Sequence, residues 1–209
     1  MKVLLVNGSP HPNGCVYTAL SEIAETLQCE GVDSEIFWIG STPVQGCTAC
    51  FQCRSGSRSG CVFTDELYTA FTEKMRNSDA IIIGAPVYYA GVPGSLCAIL
   101  DRMFFSAADL FRHKPGACIV NCRRGGASAA FDRLNKYFTI LQMPVVSSQY
   151  WNSTHGVTPD EVRQDAEGLQ TMRTLARNMA HLLKTQKIAN LPLPEKEEPQ
   201  STNFIRRMC

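Results

Sequence analysis

The sequence predicts a doubly wound α/β domain built on a five-stranded parallel sheet. Two observations carry that expectation. Five short runs rich in β-branched residues and Leu alternate with stretches whose apolar residues recur at helical spacing. The runs are also apolar through their centres, as in "VLLV" and "AIIIG", which suits strands buried on both faces. With 209 residues, 44% of them hydrophobic, the chain suffices for one sizeable domain.

The elements follow in order. Residues 2–7 (KVLLVN) read as a first strand ending in a Gly-containing turn. Over 17–30, Leu20, Ile23, Ala24 and Leu27 fall on one helical face, and Gly31 supplies a stop. Residues 34–39 (SEIFWI) read as the second strand. Residues 64–77 read as a helix, with Thr64 as N-cap and Asp65 and Glu66 in the first turn. A third strand is expected over 79–84 and a helix over 95–106. Residues 116–121 give a fourth strand. Over 129–141, Phe131, Leu134, Phe138 and Leu141 share a face. Residues 144–150 (PVVSSQY) read as the fifth strand, and 160–184 as one long helix. The folded domain is expected over 1–187. The Pro- and Glu-rich tail, 188–209, is expected to lack regular structure or to dock on a neighbouring subunit.

Composition excludes several functions. The formal net charge is +1 with no long charged block, so nucleic acid and anionic membranes are not expected partners. No apolar run is long enough to span a bilayer, and the N-terminus lacks a signal-peptide pattern, so a cytoplasmic protein is expected. In that compartment ten cysteines point to metal binding, catalysis or buried thiols rather than a disulfide framework.

In such sheets ligands bind outside the carboxyl ends of the strands. The loops expected there follow residues 7, 39, 84, 121 and 150. The first, "NGSPHPNGCVYT" (7–18), joins a strand to a helix N-terminus, where free N–H groups stabilise an anion. It has neither the Lys of a Walker A loop nor the GxGxxG of a dinucleotide fold, and suits a single phosphate held mostly by backbone, as in FMN. Ser9 and Tyr17 or Thr18 can add hydroxyls. The loop "GAPVYYAGVPGSL" (84–96) sets Tyr88 and Tyr89 among Gly and Pro, a platform for a flat ring. The loop "NCRRGGAS" (121–128) offers two guanidinium groups and exposed amides to an anionic ring edge.

The loop after the second strand, "GCTACFQCRSGSRSGC" (46–61), holds Cys47, Cys50, Cys53 and Cys61 at C-x2-C-x2-C-x7-C spacing. Three readings stay open. The x2 spacing fits the ligand-rich turns that hold a [4Fe–4S] cluster, with Cys61 folding back as the fourth ligand. Four thiolates also suit Zn2+. Alternatively the cysteines are free or redox-paired thiols. Cys29, Cys97 and Cys118 read as structural, as does His155.

Together "GSPHPNG", "GAPVYYAGVPGSLCAILDR" and the cysteine loop resemble the flavodoxin-like NADPH-dependent FMN reductase family, and within it the iron–sulfur flavoprotein branch, over about residues 1–185. The resemblance implies strand order 2-1-3-4-5, FMN at the strand ends, and a homodimer or homotetramer. It implies that Ser9, His11, Asn13, Gly14, Cys15, Val16 and Tyr17 surround the phosphate. Pro86, Val87, Tyr88, Tyr89, Ala90 and Gly91 would line the isoalloxazine. Asn121, Cys122, Arg123, Arg124, Gly125 and Gly126 would approach its other edge. His11-Pro12 and Cys15-Val16 depart from the basic pair and the Asn-Thr frequent in the family.

The function expected is that of an FMN-dependent oxidoreductase. It would accept hydride from NAD(P)H and pass electrons to a small molecule or small redox protein. The chemistry belongs to the cofactor, so no catalytic acid–base pair is required. Two alternatives are an iron–sulfur flavoprotein relaying single electrons from a ferredoxin-like partner, and a redox-sensing flavin module that uses its cysteines as a switch.

Overall fold

The computed structural model describes residues 1–56, 59–198 and 200. Its five-stranded parallel sheet has the order β2-β1-β3-β4-β5. The strands are β1 (Lys2–Asn7), β2 (Asp33–Trp38), β3 (Ala80–Pro86), β4 (Gly116–Cys122) and β5 (Ser153–His155). β1, β3 and β4 are buried almost throughout, which is why they read as continuous apolar runs.

Helices cover both faces. α1 (Cys15–Cys29), α5 (Pro159–Gln164) and α6 (Ala166–Ala189) lie on one side, where Val16, Leu20, Ile23 and Leu27 meet Met172, Leu175 and Met179 over Val3, Leu5 and Ile82. α2 (Glu66–Arg76), α3 (Gly94–Ser106) and α4 (Ala127–Ile140) cover the other, packing Phe71, Leu96, Leu100, Leu134 and Phe138 on Leu4, Ile81 and Ile83. This is the flavodoxin-type order. None of the helices among the described residues is long and apolar enough to cross a membrane.

The fifth strand differs from expectation. Residues 144–146 touch the sheet only at the start of β4, where Gly116 N–H donates to Pro144 O (2.9 Å) and Val146 N–H to Gly116 O (2.9 Å). The chain then swings outward through a turn closed by the Ser148 hydroxyl, which donates to Tyr150 O (2.8 Å). It returns as β5, pairing Ser153–His155 with Val120–Cys122. The polar "SSQ" has nothing to bury, whereas Thr154 and Asn152 enter the core, where the Thr154 hydroxyl donates to Asn121 Oδ1 (3.0 Å) and Asn152 Nδ2 to Cys118 O (3.1 Å).

Two further expectations are corrected by side-chain caps. Asp65, not Thr64, caps α2, accepting from Tyr68 N–H at 3.0 Å. The stretch expected as a single helix over 160–184 is two. A capping box of Thr158 and Glu161 starts α5. The chain then breaks at Asp165, whose φ and ψ (−76°, 79°) are not helical. That carboxylate caps α6 through Gly168 N–H (2.9 Å) and also accepts from His155 N–H (2.7 Å) at the end of β5. α6 ends on Asn190 in the left-handed region, and the described residues beyond it form neither helix nor strand. Residues 199 and 201–209, and with them the expectation for the end of the tail, lie outside the described residues.

Asp165 therefore joins the ligand-binding end of the sheet to the longest helix. Asp165→Ala should lower stability by about 1–2 kcal/mol. Urea unfolding should show a lower midpoint with an unchanged slope; an unchanged midpoint would remove Asp165 from this role.

Candidate functional site

Parallel strands deliver the loops after β1, β3 and β4 to one edge. The first is pinned to its neighbour. Gly8 N–H donates to Gly84 O at 2.8 Å. A Cβ on Gly8 would stand 2.9 Å from that oxygen and 2.5 Å from Leu96 Cδ2, so only glycine allows this approach. Asn7 braces the turn, donating from Nδ2 to Pro12 O (3.1 Å) and accepting Ser9 N–H at Oδ1 (3.1 Å). Ser9 Oγ accepts His11 N–H (3.1 Å), and Trp38 Nε1 donates to Ser9 O (2.8 Å).

With the turn satisfied from within, the α1 N-terminus stays open. Gly14 is its N-cap, no side chain caps it, and its first turn holds no acidic residue. Its orphan N–H groups and helix dipole suit an anion. The predicted phosphate residues gather here with different roles. Val16 buries its side chain and offers only backbone; His11 and Asn13 are exposed; Tyr17 is 37% exposed. Thr18 donates its hydroxyl to Gly14 O (3.2 Å). Cys15 Sγ donates to Gly156 O (3.7 Å), and burial pushes its thiol up, so it stays neutral.

The other two loops touch each other. Val87 N–H donates to Asn121 O at 2.9 Å. Gly126, at φ 88°, lies so close that a Cβ would meet Ala90 Cα at 2.9 Å and Val87 Cγ1 at 3.0 Å. Between Tyr88 and Gly91 the backbone forms a tight turn with reciprocal hydrogen bonds of 3.0 and 2.8 Å. Tyr89 (φ 49°) and Ala90 (φ 58°) occupy the left-handed region that such a turn requires. For side chains with a Cβ this costs about 1 kcal/mol each. The outcome is two aromatic rings held in solvent, Tyr88 at 46% exposure and Tyr89 fully exposed.

Asn121 and Cys122 serve the loop's shape. The buried Asn121 amide donates to Gly156 O (3.1 Å) and accepts from the Thr154 hydroxyl (3.0 Å). Cys122 O accepts Gly156 N–H (3.2 Å), and burial pushes its thiol up. Arg123, Arg124 and Gly125 are exposed at the edge. A cleft of about 240 Å³ opens beneath them, walled by Arg124, Gly126, Phe131, Tyr150, Trp151 and His155. Tyr150, Trp151, Trp38 and the Gly156 carbonyl were not among the expected site residues. The Trp at the end of "SEIFW" is the one legible signal for them.

The four cysteines line a second, smaller pocket of about 20 Å³, together with Phe63, Arg102 and Phe105. Two residues in the left-handed region, Ala49 (φ 52°) and Phe51 (φ 56°), fold the chain between the cysteines. Phe51 packs its ring edge on Phe105, and the Arg54 guanidinium lies 4.6 Å over the same ring. Cys61 N–H donates to Tyr68 Oη at 3.0 Å. Burial pushes the Cys53 thiol up; Arg54 opposes that, and Cys50 and Cys61 add to it. Among the described residues no group of three or more His, Cys, Asp or Glu side chains stands at metal-holding distance. Ser57 and Arg58 of this loop lie outside the described residues.

Comparison with known proteins agrees with this architecture. An iron–sulfur flavoprotein of Methanocaldococcus jannaschii is 28% identical over 192 residues, covering 88% of this chain and 98% of the relative. One of Archaeoglobus fulgidus is 30% identical over 177 residues, covering 83% and 86%. Among solved structures, RosB with a bound formylated riboflavin phosphate superposes with a TM-score of 0.71 at 12% identity, covering 98% of this chain and 92% of that one. The NAD(P)H:(acceptor) oxidoreductase FerB of Paracoccus denitrificans does so at 0.65 and 14%, covering 88% and 97%. Such identities speak for the flavodoxin-like fold alone. The profile of the NADPH-dependent FMN reductases matches residues 1–158, and the chain belongs to that family of flavoproteins.

Proposed function

We propose that the protein is an FMN-dependent oxidoreductase that takes hydride from NAD(P)H and passes the electrons on. The observation that carries this reading is the convergence of three loops on one sheet edge around an open, uncapped helix N-terminus. The residues present fit the cofactor. The α1 N–H groups and Ser9 Oγ would hold its phosphate. The turn 86–91 would lie along the ring, and Arg124 with the amides of Gly125 and Gly126 would face the ring's anionic edge. When bound, FMN supplies two-electron hydride chemistry and can release electrons singly. Half-buried Cys15 and buried Cys122, their thiols pushed up by burial, put no thiolate near it. The cleft beside Arg124, Tyr150 and Trp151 leaves room for a second reactant.

A second reading concerns the cysteine loop. Cys47, Cys50, Cys53 and Cys61 share one pocket, and four thiolates are the donor set of a [4Fe–4S] cluster. At about 20 Å³ the pocket as it stands has room for a water. Metal binding displaces the thiol protons. The relatives named iron–sulfur flavoproteins support this reading, in which single electrons pass between a ferredoxin-like partner and the flavin.

The FMN-loaded protein should oxidise NADH or NADPH with an artificial acceptor. Undetectable oxidation of both, with the flavin in place, would overturn this reading in favour of the relay or the redox-sensing module. The flavin released on denaturation should have the mass of FMN; stoichiometric FAD would overturn the assignment.

Two variants test the loops. Gly126→Ala sets a methyl against Ala90 and Val87 in an unfavourable backbone region, so FMN affinity should fall at least tenfold, about 1.4 kcal/mol. Wild-type affinity would show that the two loops need not touch. Replacing Tyr88 and Tyr89 together with Ala should weaken FMN binding or turnover severalfold, since one lost stacking partner is worth roughly 1 kcal/mol. Unchanged affinity and rate would make the tyrosines mere covering.

A further inference from the structure

The cysteine pocket contains one buried cation. Arg102 projects from α3, is 0% exposed, and shares the pocket wall with all four cysteines. Its guanidinium reaches both ends of the cysteine segment. Nη1 donates to Gln45 O (3.2 Å), two residues before Cys47, and Nη2 donates to Phe63 O, two residues after Cys61. Nη2 also pairs with Asp65 Oδ2 at 2.6 Å. The guanidinium lies 5.1 Å from the Tyr68 ring centre and 5.8 Å from that of Phe63. A chain of hydrogen bonds returns to the same residue. Cys61 N–H meets Tyr68 Oη, Tyr68 Oη lies 2.7 Å from Ser106 Oγ, and Ser106 donates to Arg102 O (2.7 Å). Arg102 Nε is buried and, among the described residues, has no hydrogen-bond partner.

An arginine taken wholly out of water is costly unless charge and hydrogen bonds offset it. Asp65 is partly exposed and offsets only part, and the Nε–H donor is left over. A cluster held by four thiolates is anionic and rich in sulfur acceptors. Its affinity and potential respond to nearby charge and to N–H donors. Resting on the reading that these cysteines hold an iron–sulfur cluster, we infer that Arg102 is the positioning residue of that centre. It fastens both ends of the cysteine segment, through Gln45 O and Phe63 O. Its positive charge and Nε–H then favour the state that has gained one electron.

Wild type, Arg102→Met, Arg102→Lys and Asp65→Asn would be prepared anaerobically with FMN and reconstituted with ferrous iron and sulfide. Iron retained through gel filtration and the one-electron reduction equilibrium of the cluster against dithionite-poised mediators would be measured. R102M should keep its FMN and retain at least tenfold less iron, and R102K should recover part of it. D65N still caps α2, because Asn caps as well as Asp, but leaves the Arg102 charge unneutralised. It should retain iron and shift the equilibrium toward the reduced cluster at least threefold. Wild-type iron content and an unshifted equilibrium in all variants overturn the role of Arg102. Should R102M not fold, the sign of the D65N shift decides. A wild-type chain that takes no iron overturns the cluster reading and this inference with it.

Discussion

One short contact fixes the geometry of the ligand-binding edge: Gly8 N–H on Gly84 O, with Leu96 packed against Gly8. It forces the chain leaving β1 to lie flat on β3 before turning into α1. The α1 N-terminus is thereby aimed along the sheet edge, and the loop after β3 must rise over it. Gly84 has its own reason to lack a side chain. A Cβ there would stand 2.8 Å from Val16 Cγ1, so it also sets how closely α1 sits on the sheet. Apolar burial holds the sheet, but this pair of glycines decides that its edge forms a cradle rather than an ordinary row of turns.

The helix after the Tyr88–Gly91 turn links the two candidate sites. α3 starts at Gly94, just beyond that turn, and carries Leu96 to the cradle and Ala98, Arg102, Phe105 and Ser106 to the cysteine segment. α3 is 13 residues long; at 1.5 Å per residue it spans about 20 Å. A rigid element of that length fixes the cysteine pocket relative to the flavin edge, which a free loop of Arg, Ser and Gly could not do alone. Asp65 lies under two opposing influences: burial would raise it, and the Tyr68 N–H and the Arg102 guanidinium outweigh that and hold it below the usual carboxylate range.

Much of this was legible in the sequence, and the misses share a cause. β1 was read to the residue, because its apolar run VLLV is bracketed by Lys2 and Asn7 and followed by a Gly-containing turn. The loops after β1, β3 and β4 follow from the same alternation of apolar runs, and the strand order was implied by the family resemblance. The fifth strand was misplaced because Pro144–Val146 carries the stronger β pattern, while the true edge strand, "STH", is held by the Asn121 and Asp165 side chains from elsewhere in the chain. The break at Asp165 was hidden inside a good helical pattern, since a side-chain cap leaves no mark on periodicity. Cys47, Cys50, Cys53 and Cys61 were named from spacing. Arg102 was not, because an arginine in "CAILDRMFF" looks like a solvated face until tertiary packing buries it.

The central claim is that one chain unites a flavin site and a cysteine-held cluster. Reductive titration of the anaerobically reconstituted protein tests it directly. The account predicts one FMN and about four irons per chain, with about three electrons taken up before the visible bands are fully bleached, two by the flavin and one by the cluster. A chain that binds FMN, takes up only two electrons and stays iron-free through reconstitution would contradict it.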